Sequence, residues 1–243
     1  MHGGIACPFL SVPHGFFGKE LGIVGKDWEH KSLACAGLQK ALRIPPLVLP
    51  RQNHTSNVIV LETEASFSEM NHPADALVTR HSHVALGILT ADCAPVLLHD
   101  THGIIGIVHA GWKGAISGIL EHTIQAMETL GATMSTLTAV MGPMVHVLNY
   151  EVGPEFPEVV ARSTPFETDP FFLMQHEKLY FNLPKYVAHR LKPKVGRVFD
   201  VGINTFGSAF FSRRFALSIG EMSWGSSLSC IALTTLEGEK NET

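Results

Sequence analysis

Three apolar, β-rich runs follow one another closely between Val84 and Val108: Val84–Leu89, Pro95–Leu98 and Ile104–Val108. Runs this short and this apolar, bounded by turn residues and charges, read as strands. Their closeness predicts neighbours in one sheet, paired antiparallel. The link His99-Asp100-Thr101-His102-Gly103 has hairpin-loop length and ends on glycine. Further runs of the same kind lie at Leu47–Leu49, Asn57–Leu61, Ala76–Thr79, Thr136–Met141 and Leu228–Leu233. Helical periodicity separates them. From Gly114 to Leu130, the residues Ile116, Ile119, Leu120, Thr123, Met127 and Leu130 share one face, and Gly131 is a natural stop. A second helix is expected after Pro154 through Phe156, Val159 and Val160, and a third over Leu183–Leu191 with Pro184 in its first turn. Strands and helices mixed this way predict an α/β (α+β) layered sandwich with a mixed, largely antiparallel sheet. No repeat, low-complexity tract or linker divides the 243 residues, so one domain over 1–243 is expected, with a frayed tail at 236–243.

The surface is lean: 45% of residues are hydrophobic and 16% charged, with a formal net charge of −4. A general nucleic-acid binder carries a basic face, and nothing here suggests one. No apolar run reaches the ~18–20 residues needed to cross a bilayer. The first residues lack a basic segment followed by a secretory apolar stretch. Cys7, Cys35, Cys93 and Cys230 lie far apart and form no CxxC pair. A soluble, cytoplasmic protein with reduced thiols is expected, with no membrane or nucleic-acid partner and no protein partner deducible.

Three polar strings interrupt the strands. In Thr90-Ala91-Asp92-Cys93-Ala94-Pro95, a cysteine stands at a strand junction, where it can be exposed or act as a small buried hydrophobe. In His109-Ala110-Gly111-Trp112-Lys113-Gly114, an imidazole ends one strand and two glycines permit close backbone approach before a helix N-terminus suited to an anion. In Arg51-Gln52-Asn53-His54-Thr55-Ser56, a second histidine lies between strands. Two imidazoles and a thiolate suit zinc with an open fourth position, and a site gathered from separate strands fits catalysis better than structural support. Their spacing matches no compact zinc-finger pattern. Lys113, Arg51 and Arg80 are the candidate cations for a phosphate or substrate. Asp92 either orients a ligand histidine from behind or caps a turn.

Ala74-Asp75-Ala76-Leu77-Val78-Thr79-Arg80, Leu89-Thr90-Ala91-Asp92-Cys93 and His109-Ala110-Gly111-Trp112-Lys113-Gly114 together resemble a bacterial family. Gly142-Pro143, Tyr150-Glu151-Val152-Gly153-Pro154-Glu155 and Phe210-Phe211-Ser212-Arg213-Arg214 extend the resemblance in consistent order from about His14 to Leu233. The family was once described as multicopper polyphenol oxidases or laccase-domain proteins, and is now viewed as zinc-dependent purine nucleoside phosphorylases. The resemblance implies metal ligands at His54, Cys93 and His109. It implies phosphorolysis of adenosine, inosine, guanosine and methylthioadenosine, with phosphate as the second small-molecule partner, and hydrolytic deamination of adenosine. A zinc ion that lowers the pKa of water toward ~7 accounts for the deamination.

The sequence departs from the family pattern in places. Gly18-Lys19-Glu20-Leu21-Gly22-Ile23-Val24 stands where the family has a Thr-Arg-x-Gly-Gly-Val-Ser string. Lys19 in the arginine's place lacks the planar fork that suits phosphate. Met144 stands where a cysteine is frequent, Asn204-Thr205-Phe206 replaces an Asp-Thr-Tyr-like string, and a tyrosine is missing before Arg213. Three other readings compete. In a cysteine hydrolase Cys93 is the nucleophile and His109 the base. In a copper-dependent phenol oxidase copper replaces zinc, but multicopper centres need histidines in fixed groupings, and the one His-x-His pair, His81-Ser82-His83, reads as a loop. A non-enzymatic metal- or nucleotide-binding module is the third.

Overall fold

The computed structural model describes residues 4–24, 28–62 and 72–233. The expected tail at 236–243 lies outside them. Thirteen strands and six α-helices are present among the described residues. The strands are β1 (His14–Phe17), β2 (Leu47–Val48), β3 (Val58–Leu61), β4 (Ala76–Thr79), β5 (Ala85–Thr90), β6 (Ala94–Asp100), β7 (Ile104–Ala110), β8 (Leu137–Met141), β9 (Glu151–Val152), β10 (Phe172–Gln175), β11 (Lys178–Phe181), β12 (Arg197–Asp200) and β13 (Ser227–Ala232). The helices are α1 (Trp28–Leu42), α2 (Trp112–Ile116), α3 (Ile119–Thr129), α4 (Phe156–Arg162), α5 (Leu183–Leu191) and α6 (Arg213–Ser218).

A six-stranded sheet runs β12-β8-β6-β7-β4-β3, and a four-stranded sheet runs β1-β13-β5-β2. The first is antiparallel at its centre and parallel at both edges, β12 with β8 and β3 with β4. A small three-stranded sheet, β10-β11-β9, stands apart. Successive side chains of a strand point to opposite faces. Leu77, Leu97, Ile105 and Ile107 of the large sheet accordingly join Phe16, Leu86, Ile88 and Ile231 of the four-stranded one in a single buried cluster. Ala76, Val78, Val96, Leu98 and Val108 face the other way, onto Ile119, Leu120, Ile124 and Met127 of α3 and Tyr186 and Val187 of α5. Behind the smaller sheet, Phe17, Leu228 and Cys230 meet Cys35 and Leu38 of α1. The result is a layered α+β sandwich: helix, sheet, sheet, helices. Strands covered on both faces explain why β4, β6 and β7 read as continuous apolar runs rather than alternating ones.

Two expectations are corrected. The run at Val84–Leu89 does not join the next two runs in one sheet: β5 pairs with β13 and β2, while β6 and β7 pair with each other. Asp92, with φ 92° in the left-handed region, turns the chain between β5 and β6 and sends them into different sheets. The expected helix from Gly114 to Leu130 is two helices. Gly118, at φ 88°, ends the first turn and starts α3 in a new direction. The segment from Phe166 to Lys178 contains a short 3₁₀ turn and the β10–β11 hairpin, whose tip residues His176 and Glu177 both have positive φ.

Candidate metal centre

The break between β5 and β6 leaves Cys93 at the rim of the large sheet. In the register of β6 with β7, Ala94 lies opposite Ala110, so Cys93 and His109 come from adjoining strand ends. The third residue, His54, comes from the loop after β2, and two side chains hold that loop. Gln52 pairs both amide groups with the backbone of Leu89 in β5, at 2.7 and 2.8 Å. Asp75, wholly buried at the head of β4, binds the rest. Its Oδ1 accepts from the His54 amide at 3.0 Å, and its Oδ2 from the Thr55 amide and hydroxyl at 2.5 and 2.8 Å and from the Asn53 amide at 3.3 Å. His54 takes φ 56°, a left-handed conformation that these bonds stabilise. Burial penalises the Asp75 carboxylate, but its hydrogen bonds to His109 and Thr55 outweigh that and pull it down to about 2.

The same carboxylate accepts from His109 Nδ1 at 2.7 Å. An ionised carboxylate only accepts, so the His109 proton sits on Nδ1 and Nε2 is left facing the site. The ligating atoms of His54, Cys93 and His109 lie within 4.8 Å of one another, and Cys93 Sγ is 3.8 Å from His54 Nε2. The two imidazole rings meet edge to face, centroids 4.8 Å apart. Metal–ligand bonds of about 2.0–2.3 Å in a tetrahedron place donor atoms roughly 3.3–3.6 Å apart. Small side-chain shifts bring the three atoms to that spacing, so this donor set fits a zinc ion with one position open. Burial pushes the Cys93 thiol up, but the charge of His109 and the hydrogen bonds from both imidazoles bring it down to about 6. Burial lowers His109, but the Cys93 thiolate and the Asp75 carboxylate raise it to about 9. Without metal, both shifts favour a thiolate facing an imidazolium.

Gly111 closes the back of the site. A Cβ there would lie 2.8 Å from His54 Cδ2 and 3.0 Å from Cys93 Sγ, so only glycine lets the two side chains approach. The centre opens into a cavity of about 660 Å³ whose walls include Leu89, Trp112, Val145, Tyr150, Trp224, Arg51, Arg213 and Arg214. Beyond Arg214, a second open cavity of about 850 Å³ lies beside Glu151, Pro154, Met174 and Lys178.

The multi-copper polyphenol oxidoreductase laccase family matches residues 24–234 of this sequence. The chain belongs to that family. A purine nucleoside phosphorylase from Corynebacterium glutamicum is 44% identical over 117 residues, covering 48% of this chain and 46% of the relative. A purine nucleoside phosphorylase from Bacteroides thetaiotaomicron is 36% identical over 154 residues, 60% of this chain and 57% of the relative. An adenosine deaminase from an unknown prokaryote is 33% identical over 133 residues, 52% and 51%. The chain thus spans about half the length of these curated relatives. Among solved structures, a Neisseria meningitidis protein superposes with a TM-score of 0.74 at 25% identity, covering 93% of this chain and 91% of its own. YlmD of Geobacillus stearothermophilus superposes with a TM-score of 0.81 at 20% identity, covering 95% and 94%, which shows the shared fold.

Of the residues singled out from the sequence, His54, Cys93, His109 and Arg51 meet at the cavity. Lys113 does not line it: its ammonium lies 5.6 Å over the Trp112 ring on the exposed side of α2. Arg80 follows the far end of β4, the length of the strand away from Asp75, and is exposed. Lys19 donates to the Ser208 carbonyl at 2.8 Å, bracing the loop that leads to α6. Asp92 bonds Thr205 Oγ1 at 2.7 Å and the Arg214 amide at 2.8 Å. It therefore holds the start of α6, and the carboxylate that orients a histidine is Asp75. Sequence reasoning passed over Asp75, although a charge buried at the head of an apolar strand must have partners. Tyr150, Arg213 and Arg214 were quoted in the resemblance, but no pattern in the sequence marks them as cavity residues.

Proposed function

We propose that the protein is a zinc-dependent purine nucleoside phosphorylase with adenosine deaminase activity, His54, Cys93 and His109 being its metal ligands. The observation that carries the reading is the convergence of these three donors at the floor of a cavity of nucleoside size, in a chain whose relatives bear those two names. Bound there, zinc supplies Lewis-acid chemistry at its open position. The chain's own residues do the rest. Asp75 fixes the His109 tautomer and the His54 loop. Trp112, Trp224, Leu89 and Val145 give the purine apolar walls, and the arginines make the cavity electropositive. In phosphorolysis a phosphate oxygen bonds to C1′ of the ribose as the C1′–N9 bond breaks. The electron pair leaves on the purine, which takes up a proton. No helix among the described residues is long and apolar enough to cross a membrane, and all four cysteines are free thiols. We place the enzyme in the reducing cytoplasm on that ground.

The Asp75–His109–Cys93 relay also suits a cysteine hydrolase, with a depressed thiol beside a carboxylate-oriented imidazole. Copper-dependent oxidation is disfavoured because the described residues hold one three-donor cluster, not several. The test is to incubate the protein with inosine, guanosine, methylthioadenosine or adenosine, with and without phosphate, and to follow free base and ribose 1-phosphate. The expected result is phosphate-dependent base release that a chelator abolishes and zinc restores. Chelator-resistant turnover of an acyl substrate, lost in Cys93→Ala, would replace this reading with the hydrolase.

A further inference from the structure

Tyr150 is less than a tenth exposed and lines the cavity, yet its hydroxyl has no hydrogen-bond partner among the described residues. The hydroxyl is not among the sealed polar atoms of the fold, so it faces the cavity with its donor free for a ligand. The charges around it define that ligand. The Arg214 guanidinium lies 4.2 Å over the Tyr150 ring, and one of its N–H groups donates to the Glu151 carbonyl at 2.8 Å. Arg213 lies 5.2 Å over the Trp224 ring. Both guanidinium planes are thus held by aromatic faces, and among the described residues neither pairs with a carboxylate. Arg51 adds a third cation to the same walls. The one acidic side chain there, Asp92, has both oxygens committed to Thr205 and the Arg214 amide, and the nearby Glu151 carboxylate is paired with Lys178 at 2.8 Å. Apart from the one Arg214 N–H that binds the Glu151 carbonyl, the N–H groups of these stacked arginines pair with no side chain among the described residues, and with the tyrosine hydroxyl they make a wall of donors.

We propose that Tyr150, Arg213 and Arg214 form a phosphate-binding subsite of the cavity. Read together with the phosphorylase function, on which this assignment of the ligand's source rests, the ligand is the inorganic phosphate that attacks C1′. The same donors would equally recognise the phosphate ester of a nucleoside 5′-monophosphate. Bidentate arginine contacts to phosphate oxygens orient the attacking oxygen as well as bind it.

The experiment measures binding of inorganic phosphate and of inosine 5′-monophosphate to the zinc-loaded protein by calorimetry. Parent, Tyr150→Phe and the double variant Arg213→Gln/Arg214→Gln are compared. Tyr150→Phe keeps the ring under Arg214, so it reads the hydroxyl alone, and thermal melting confirms that each variant is folded. A rise of at least tenfold in Kd for inorganic phosphate in both variants, with KM for phosphate rising in step while KM for inosine moves less than threefold, supports the subsite and the co-substrate. Unchanged phosphate binding with at least tenfold weaker binding of the monophosphate supports the subsite and assigns it to the ester. Equal binding of both probes by all three proteins overturns the proposal. Should the parent cleave no nucleoside while the variants still lose phosphate binding, the phosphorylase reading fails and the subsite stands.

Discussion

Replacing Gly111 with alanine separates the metal centre from the stability of the fold. The glycine has φ −67° and ψ 160°, an extended conformation open to any residue, so the backbone accepts alanine. By reducing the freedom of the unfolded chain, such a replacement stabilises a protein by about 0.4–1 kcal/mol where there is room. At Gly111 there is none toward the site: the new methyl would sit 2.8 Å from His54 Cδ2 and 3.0 Å from Cys93 Sγ. Relaxing the first contact to an ordinary ~3.5 Å moves the imidazole by about 0.7 Å. Metal sites tolerate ligand displacements of about 0.2 Å. The expected result is a loss of zinc affinity of 10- to 100-fold, about 1.4–2.7 kcal/mol, with a melting temperature within a few degrees of the parent when both are metal-free. Competition against a chromogenic chelator measures the affinity, and calorimetric melting the stability. Parent-like zinc affinity in Gly111→Ala would refute the ligand geometry, since in it the methyl meets both His54 and Cys93.

Asp75→Asn puts an amide group against amide, hydroxyl or imidazole donors whichever way it turns. Chemical unfolding should show a loss of about 2–4 kcal/mol, accompanied by weaker zinc binding. Because the Asp75 carboxyl is depressed to about 2, its contribution is full above the unfolded value near ~3.9 and fades as pH falls toward 2. Acid titration of stability should therefore show a component between pH 4 and 2 in the parent that is missing in Asp75→Asn. Zinc needs the thiolate and a neutral His109. With the coupled pair titrating near 6 and 9, the pair gives up one proton per ion bound at pH 7.5 and fewer as pH rises past 9, beside the part of a proton lost from a zinc-bound water of pKa near ~7. Calorimetry in buffers of different ionisation enthalpy measures this, and equal release at pH 7.5 and 9.5 would contradict the thiolate–imidazolium pair. Thr205→Val removes a partner from buried Asp92 and should cost about 1–3 kcal/mol by denaturant titration while leaving zinc affinity within threefold.

Much of the core was legible because its strands are buried on both faces. β4 and α5 fall on the expected residues, and β3, β7, β8 and β13 begin or end within one or two of them. What stayed hidden has physical causes. β10 and β11 form a largely exposed hairpin whose apolar residues, Phe172-Leu173-Met174 and Leu179-Tyr180-Phe181, do not alternate with polar ones, and β1, β9 and β12 are short edge strands. The pairing of β5 away from β6 depends on a left-handed Asp92, which no periodicity reports. In the site, Cys93 and His109 could be named because cysteine and histidine at strand ends are chemically conspicuous, and His54, in a loop, stood out only as the residue that completes a donor set with them. Asp75 looks from sequence like a strand-edge charge, and only its five hydrogen bonds reveal it as the hub of the centre. Lys113 and Arg80 were attractive cations by sequence position, but α2 and β4 carry them out of the cavity.

That His54, Cys93 and His109 together hold one metal ion is open to direct measurement. Elemental analysis of the protein purified without added metal, beside His54→Ala, Cys93→Ala and His109→Ala, tests it most directly. The expected result is about one zinc per parent chain and loss of that metal in each variant, because an open catalytic site keeps only three protein ligands. A metal-free parent that fails to take up zinc on reconstitution, or a variant that retains a full complement, would contradict it.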